Sequence, residues 1–545
     1  MNKMGFQILL LFVGLGVCTN YIGLEDVATG TDVFVGIPYA QPPVGALRLQ
    51  PPLPISDDLG DLNVSSLTSN RCYELNQSLA SISAGSEDCL TLDIVRPSRG
   101  SVVNARRDNK LPVYVFIHGG NFNDGDKSDY DGRDLVKTSV QLSAPFIYVS
   151  INYRLSFLGF PSGNQFTYHH NLGLLDQYLA LQWVQEEIQW FGGNPTKIVI
   201  GGHSAGANSV AYQMMAYGAK TKGLFHGAIL QSGSATALSA IQHAQNSTWQ
   251  KSSSDIATAV GCNVPSDILP CLQSVPIDSL ITAYTTVFTN SGFHSPISMY
   301  SPVPDANFME SWPSDLMNDG VFAKVPTIVG TTTNELVERI SISNSIGSDA
   351  AVLQATEPNF PLVPNNTLQE LLSYYPVTSY PNIGPPLSGA QWSRAVAIEN
   401  DVEMFCPANT QAVQVSAVAP VWKFRWNSVL QSLSLPQWVG VPHSSELYYL
   451  FPYKAEDMTG HSSADLGLML NFQRHIIGFI TNLDPNSLPA LQTTPSVHWS
   501  RFNNNTQSRL VYQRPDASGK GLHAEQDNVN QASCDFINSN NIQFS

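Results

Sequence analysis

The feature that most constrains this chain is a run of alternating strand-like and helix-like text between residues 110 and 235, punctuated by "GGHSAG" (201–206). "LPVYVFI" (111–117) and "APFIYVSI" (144–151) are β-branched and aromatic runs of strand length; "KIVI" (197–200) and "GAILQSG" (227–233) follow. Among them, "LLDQYLALQWVQEEIQWF" (174–191) repeats apolar residues at helical spacing, and Gly192-Gly193-Asn194-Pro195 ends it. "VPTIVG" (325–330) and "PVWKFRW" (420–426) repeat the strand text later. Strands separated by helices need crossover connections, which put helices on both faces of a mostly parallel sheet. The expected class is α/β. Helix- and loop-rich text at 236–320 and 340–415 reads as insertions over that sheet. No repeat, charge run or composition break marks a linker, so one domain over residues 21–545 is expected.

Gly202-His203-Ser204-Ala205-Gly206 fits G-x-S-x-G, a weak signal alone. Its context strengthens it: strand text ends at Gly201, and "AGANSVAYQMMAY" (205–217) can start a helix. A strand turning sharply into a helix lifts a serine Oγ above the sheet edge, and the crowded turn requires the flanking glycines.

The N-terminus reads as a secretory signal over residues 1–20: one lysine, an apolar run from Met4 to Val17, then small and polar residues. No later segment offers enough uninterrupted apolar residues to span a bilayer, so no integral membrane association is expected. Of seven cysteines, Cys18 leaves with the signal. The even remainder suggests three disulfides, with Cys72–Cys89 and Cys262–Cys271 the local choices and Cys406–Cys534 left over. Export makes the sequons at Asn63, Asn76, Asn246, Asn365 and Asn504 usable for glycosylation. A formal charge of −16 disfavours nucleic acid as a partner.

Beyond the elbow, ordered segments run through most of the chain: "FVGIPYAQPPVGALRLQPP" (34–52), "SEDCLTLDIVRP" (86–97), "VFIHGGNF" (115–122), "NYRLSFLGF" (152–160), "NLGLLDQYLALQWVQEEIQWFGGNP" (171–195), "LQSGS" (230–234) and "DPN" (484–486). On these the chain resembles the type-B carboxylesterase/lipase family, α/β-hydrolases that include cholinesterases and fungal lipases. The resemblance implies that fold and ester hydrolysis through an acyl-enzyme, with the order serine, acid, histidine. Ser204 is then the nucleophile. His443, in "GVPHSSELYYLF" after the strand text at 420–426, matches the family's histidine motif and is the expected base. Glu335, in "VGTTTNEL", matches its strand-end glutamate and is the expected acid. Glu338 reads as a surface carboxylate, and His475 and His523 as structural or exposed. Oxyanion donors are expected from the N–H groups of Ala205, Gly120 and Asn121; the family's H-G-G-G reads His118-Gly119-Gly120-Asn121 here. Asparagine tolerates left-handed backbone better than most residues. His203 sits beside Ser204, but successive residues at a strand end point to opposite sides. It is expected beneath the nucleophile, neutral and hydrogen-bonded.

Departures narrow the substrate. The Cys72–Cys89 loop, "YELNQSLASISAGSED", is shorter than the family's choline platform or lipase lid, with Tyr73 its sole aromatic. That favours a carboxylesterase for soluble esters of modest size over a triacylglycerol lipase. A non-catalytic recognition module, as in members that lost the serine, is opposed by the retained Ser204, Glu335 and His443. "DGDKSDYDG" (124–132) lacks the glycine and glutamate of a calcium loop and reads as a solvated loop over the site. No metal and no cofactor is expected, and the partner is a small-molecule or lipid-like ester.

Overall fold

The computed structural model describes residues 19–540 apart from 56–58, 67, 75–84, 99–109, 162, 164–165, 167–169, 238–246, 264–267, 291–299, 341–344, 358–359, 361–362, 382, 387, 453–460, 490–496, 528 and the side chains of 247–250. The sequons at Asn76 and Asn246, and all but two residues of the expected signal, lie outside the described residues.

The β-branched and aromatic runs condense into one 11-stranded sheet. Numbered along the chain, its strands are β1 Leu24–Asp26, β2 Thr31–Pro38, β3 Thr91–Pro97, β4 Leu111–Ile117, β5 Ile147–Ile151, β6 Gly193–His203, β7 Gly227–Gln231, β8 Thr327–Thr332, β9 Val421–Trp426, β10 Ser508–Tyr512 and β11 His523–Gln526. They lie in the order β11-β10-β9-β8-β7-β6-β4-β5-β3-β2-β1. Strands β5, β4, β6, β7, β8, β9 and β10 run parallel. The outer pairings, β11 on one side and β3, β2 and β1 on the other, are antiparallel.

Side chains on β4 alternate between two cores, as the two-residue period of a strand requires. Val113, Val115 and Ile117 enter the core shared with helices Leu172–Glu187 and Ala205–Ala219. Tyr114 and Phe116 enter the core shared with helices Arg133–Gln141 and Ser463–Asn482. The helix expected at 174–191 runs from Leu172 to Glu187, tightens into a 3-10 turn over Ile188–Phe191, and ends where Gly192 takes a φ of 90°. A third core packs the helical insertion around Trp392 and Val402. There the Cys406–Cys534 disulfide ties the C-terminal helix Gln531–Ser539 to helix Cys406–Ser416. Cys72–Cys89 and Cys262–Cys271 are paired as well. Among the described residues no helix is long and apolar enough to cross a membrane.

The aspartate-rich loop at 124–132 corrects the expectation of a solvated loop. Buried Asp126 accepts 2.8 Å hydrogen bonds from the Ser128 N–H and the Asn152 amide. Lys127 is buried against Asp93 at 3.0 Å. A buried ammonium must be paired, and here its partner comes from β3, so the loop is pinned to the sheet.

Candidate active site

The elbow follows from crowding. Strand β6 ends at His203, helix Ala205–Ala219 begins at once, and Ser204 between them takes φ 56°, ψ −127°. Such backbone persists only where its surroundings over-determine it. A Cβ on Gly206 would lie 2.0 Å from the Ile117 carbonyl oxygen, and one on Gly202 would lie 2.4 Å from the Gly206 carbonyl carbon. The Ser204 N–H donates to the Gln231 carbonyl at 2.8 Å, tying the turn to β7. Ser204 thus stands at the carboxyl ends of the parallel strands, where open α/β sheets bind ligands.

The loop after β4 closes against this turn. A Cβ on Gly119 would meet the His203 carbonyl oxygen at 2.6 Å and Ser204 Cβ at 3.0 Å. Gly120 follows at φ 109° and Asn121 at φ 56°, so asparagine does adopt the left-handed geometry. The loop is held from below: the Ser156 N–H donates to the Phe122 carbonyl at 2.8 Å, and the Tyr153 hydroxyl to the His118 carbonyl at 3.0 Å. Gly119→Ala is expected to push this backbone off the elbow and lower kcat about 10²–10³-fold, the loss expected where such a loop supplies an oxyanion donor. Steady-state kinetics with an unchanged circular dichroism spectrum would check it.

Glu335 and His443 come together from the ends of neighbouring strands. The turn after β8 and the loop after β9 are joined at Asn334, whose N–H donates to the Val441 carbonyl and whose side-chain oxygen accepts from the Val441 N–H, both at 2.9 Å. His443 Nδ1 lies 2.6 Å from Glu335 Oε2. The other oxygen, Oε1, accepts from Ser232 Oγ at 2.7 Å and the Thr332 N–H at 2.6 Å. Burial alone would raise this carboxyl's pKa. The His443 charge and the hydrogen bonds from His443, Ser232 and Thr332 outweigh it and hold Glu335 below the usual glutamate range. The His443 ring packs against the ring of His203, the residue preceding Ser204, at a centroid distance of 4.6 Å.

A model of the carboxylesterase family matches residues 20–537. The chain belongs to that family. Secreted lipase 1 of Botryotinia fuckeliana (strain B05.10) is 30% identical over 94% of this chain and 90% of its own. Lipase 1 of Geotrichum candidum is 32% identical over 84% of each chain. The crystal structure of Aspergillus niger EstA superposes with a TM-score of 0.80 at 26% identity, covering 96% of this chain and 97% of that one. The sheet and its flanking helices are the α/β-hydrolase fold of this carboxylesterase family, and membership makes the chain a hydrolase acting on esters.

In this member of the family, His203 is buried at the elbow, and burial together with His443 pushes it well below the usual imidazole range. The expected hydrogen bond is not found at Nε2, which has no hydrogen-bond partner among the described residues. The nearest acidic oxygen is Glu446 Oε1, at 3.8 Å. Glu446, Gln231 and Ser232 are the polar residues that sequence reasoning missed. Their signals were the glutamate three positions after His443 and the polar pair inside "LQSGS". Glu338 is exposed. His475 is buried between Tyr512 Oη at 2.6 Å and Arg474 at 2.7 Å, and so is structural.

Proposed function

We propose that this chain is a secreted serine carboxylesterase that works through an acyl-enzyme on Ser204. The observation that carries this reading is the 2.6 Å contact between His443 and the buried Glu335, set beside a serine held in a strained strand-to-helix turn. His443 takes the Oγ proton as Ser204 attacks the ester carbonyl. The N–H groups of Gly120, Asn121 and Ala205 receive the developing oxyanion. His443 then protonates the leaving alcohol, and water, activated by the same imidazole, releases the acid. Glu335 orients the ring and stabilises the imidazolium in both steps. This chemistry asks nothing of a metal or cofactor.

Labelling with an organophosphonate tests the reading. Wild-type protein is expected to gain one adduct, and Ser204→Ala none. An unlabelled wild type would sink the proposal, and with it the case against a non-catalytic recognition module.

A triacylglycerol lipase is the second reading, favoured by relatives such as the secreted triacylglycerol lipase LIP1 of Gibberella zeae, 37% identical over 56% of this chain and 54% of its own. Rates on soluble short-chain esters against emulsified long-chain ones separate the two; the short Cys72–Cys89 loop favours the soluble esters. Export is supported by the secreted relatives and the three disulfides. Asn63, Asn365 and Asn504 are exposed and open to glycans.

A further inference from the structure

The turn that follows the proposed oxyanion donors ends on a carboxylic acid. The Gly120 carbonyl accepts from the N–H groups of Asn123 and Asp124, both at 2.9 Å. That turn folds the Asp124 side chain back over Gly120, so a Cβ on Gly120 would collide with the Asp124 carbonyl oxygen and with its Oδ1. A carboxyl oxygen therefore lies against the residue whose N–H is proposed to receive the oxyanion. The surroundings supply no charge to offset it. Buried Glu74 accepts from the Gly125 N–H at 3.1 Å. The Arg71 guanidinium beside it is taken up by Glu74 at 2.9 Å and Asp129 at 3.3 Å. Among the described residues no ion pair reaches Asp124. A half-buried carboxyl set among carboxylates, without a counter-charge of its own, favours its neutral form.

We infer that Asp124 is a positioning residue of the oxyanion loop that supports the reaction as a neutral carboxylic acid, and that its ionisation sets a negative charge against the oxyanion formed in turnover. The inference rests on the esterase reading above. While neutral, the side chain fills the space over Gly120 and keeps the turn closed. Once ionised, it stays beside Gly120 and opposes the charge that the Gly120 N–H is there to stabilise. The groups that face it are Arg71 and Glu74 from the segment at the Cys72–Cys89 disulfide, Asp129 and Tyr130 from its own loop, and Tyr153 after β5. Burial is the main cause that holds both phenols neutral. Across Gly125 stands His118, at the end of β4, which burial keeps below the usual imidazole range. Burial, then repulsion by Glu74 and Asp129, lifts the Asp124 carboxyl to about 7 against the pull of Arg71. Below that value the acid is neutral. Above it the charge appears, so the rate falls as pH rises.

The test is kcat/KM for a soluble short-chain alkyl ester, followed by pH-stat from about pH 5.5 to 9. The wild type is expected to pass a maximum near neutrality and then fall about tenfold onto a lower plateau, the effect of one nearby charge in a partly screened site. Asp124→Asn, nearly isosteric and uncharged, is expected to hold its rate from that maximum to the end of the range. Glu74→Gln keeps an acceptor for the Gly125 N–H, removes one repelling charge and frees Arg71 for Asp124. Its fall should begin about one pH unit lower. An alkaline fall that persists unchanged in Asp124→Asn, or that is missing from the wild type, overturns the inference. A rate in Asp124→Asn scaled equally at every pH marks a packing role and overturns it too. Should Asp124→Asn fail to fold, Glu74→Gln carries the readout, and an unmoved fall there counts against the inference. A wild type that takes no organophosphonate would sink the esterase reading; a labelled wild type without an Asp124-dependent fall would sink this inference alone.

Discussion

Replacing His443 with alanine is expected to lower kcat on a soluble ester by roughly 10⁵–10⁶-fold, because the groups of such a site act as a unit and the serine without its base is nearly inert. Glu335→Gln is expected to cost about 10⁴-fold, and the hydrogen bonds say why. Ser232 Oγ and the Thr332 N–H both donate to Oε1, so a glutamine there must keep its carbonyl oxygen facing them. Its amide nitrogen then faces His443 Nδ1, 2.6 Å away in the native pair. The ring can meet a donor only with an unprotonated Nδ1. Its proton moves to Nε2, and the base arrives at Ser204 already occupied. His203→Ala, by contrast, leaves the Glu335–His443 contact in place and keeps turnover. Stopped-flow measurement of acylation on the three variants checks the ranking. Abolished activity in His203→Ala with activity spared in His443→Ala would reverse the assignment of the base.

The same contrast shows what the sequence carried. The inner strands are legible because burial on both faces demands uninterrupted apolar text: β5 is buried at every residue and β4 from Val113 onward. The outer strands obey other rules. In β10 and β11, Arg509 and Glu525 pair across the sheet edge at 2.7 Å, with Arg425 of β9 joining Glu525 at 2.8 Å. Charged residues suit an edge that must resist pairing with other chains, and they erase the apolar signature of a strand. Within the site, Ser204, Glu335 and His443 are readable from strand ends, chain order and resemblance. Glu446 is not. Within "HSSELYYL" a glutamate reads as surface charge, and only the fold brings Gln231 of β7 and His203 of β6 around it. The loop at 124–132 misleads for the same reason. Its aspartates look solvated until Asp93 of β3 and Asn152, just after β5, are seen to meet Lys127 and Asp126.

Asp176→Ala is expected to destabilise the protein by about 3–5 kcal/mol, the cost of leaving a buried charge without its partner. Both carboxylate oxygens of Asp176, in helix Leu172–Glu187, engage Arg154: Oδ1 accepts from Nη2 at 2.7 Å, and Oδ2 from Nε at 2.8 Å and the backbone N–H at 3.0 Å. Arg154 is only 4% exposed, so the truncated site strands a guanidinium that water cannot reach. Against the roughly 5–15 kcal/mol that separates folded from unfolded domains, that loss is a large fraction of the whole. The damage is also placed where function feels it. Arg154 begins the segment whose Ser156 N–H holds the Phe122 carbonyl at 2.8 Å, directly beneath the loop expected to bind the oxyanion. Asp176→Asn keeps an acceptor but not the charge, so its urea midpoint should fall between those of Asp176→Ala and the wild type. Activity in increasing urea should be lost together with tertiary fluorescence in all three. A midpoint for Asp176→Ala within experimental error of the wild type would mean that the Arg154 charge is satisfied elsewhere, and that this pair does not anchor the loop.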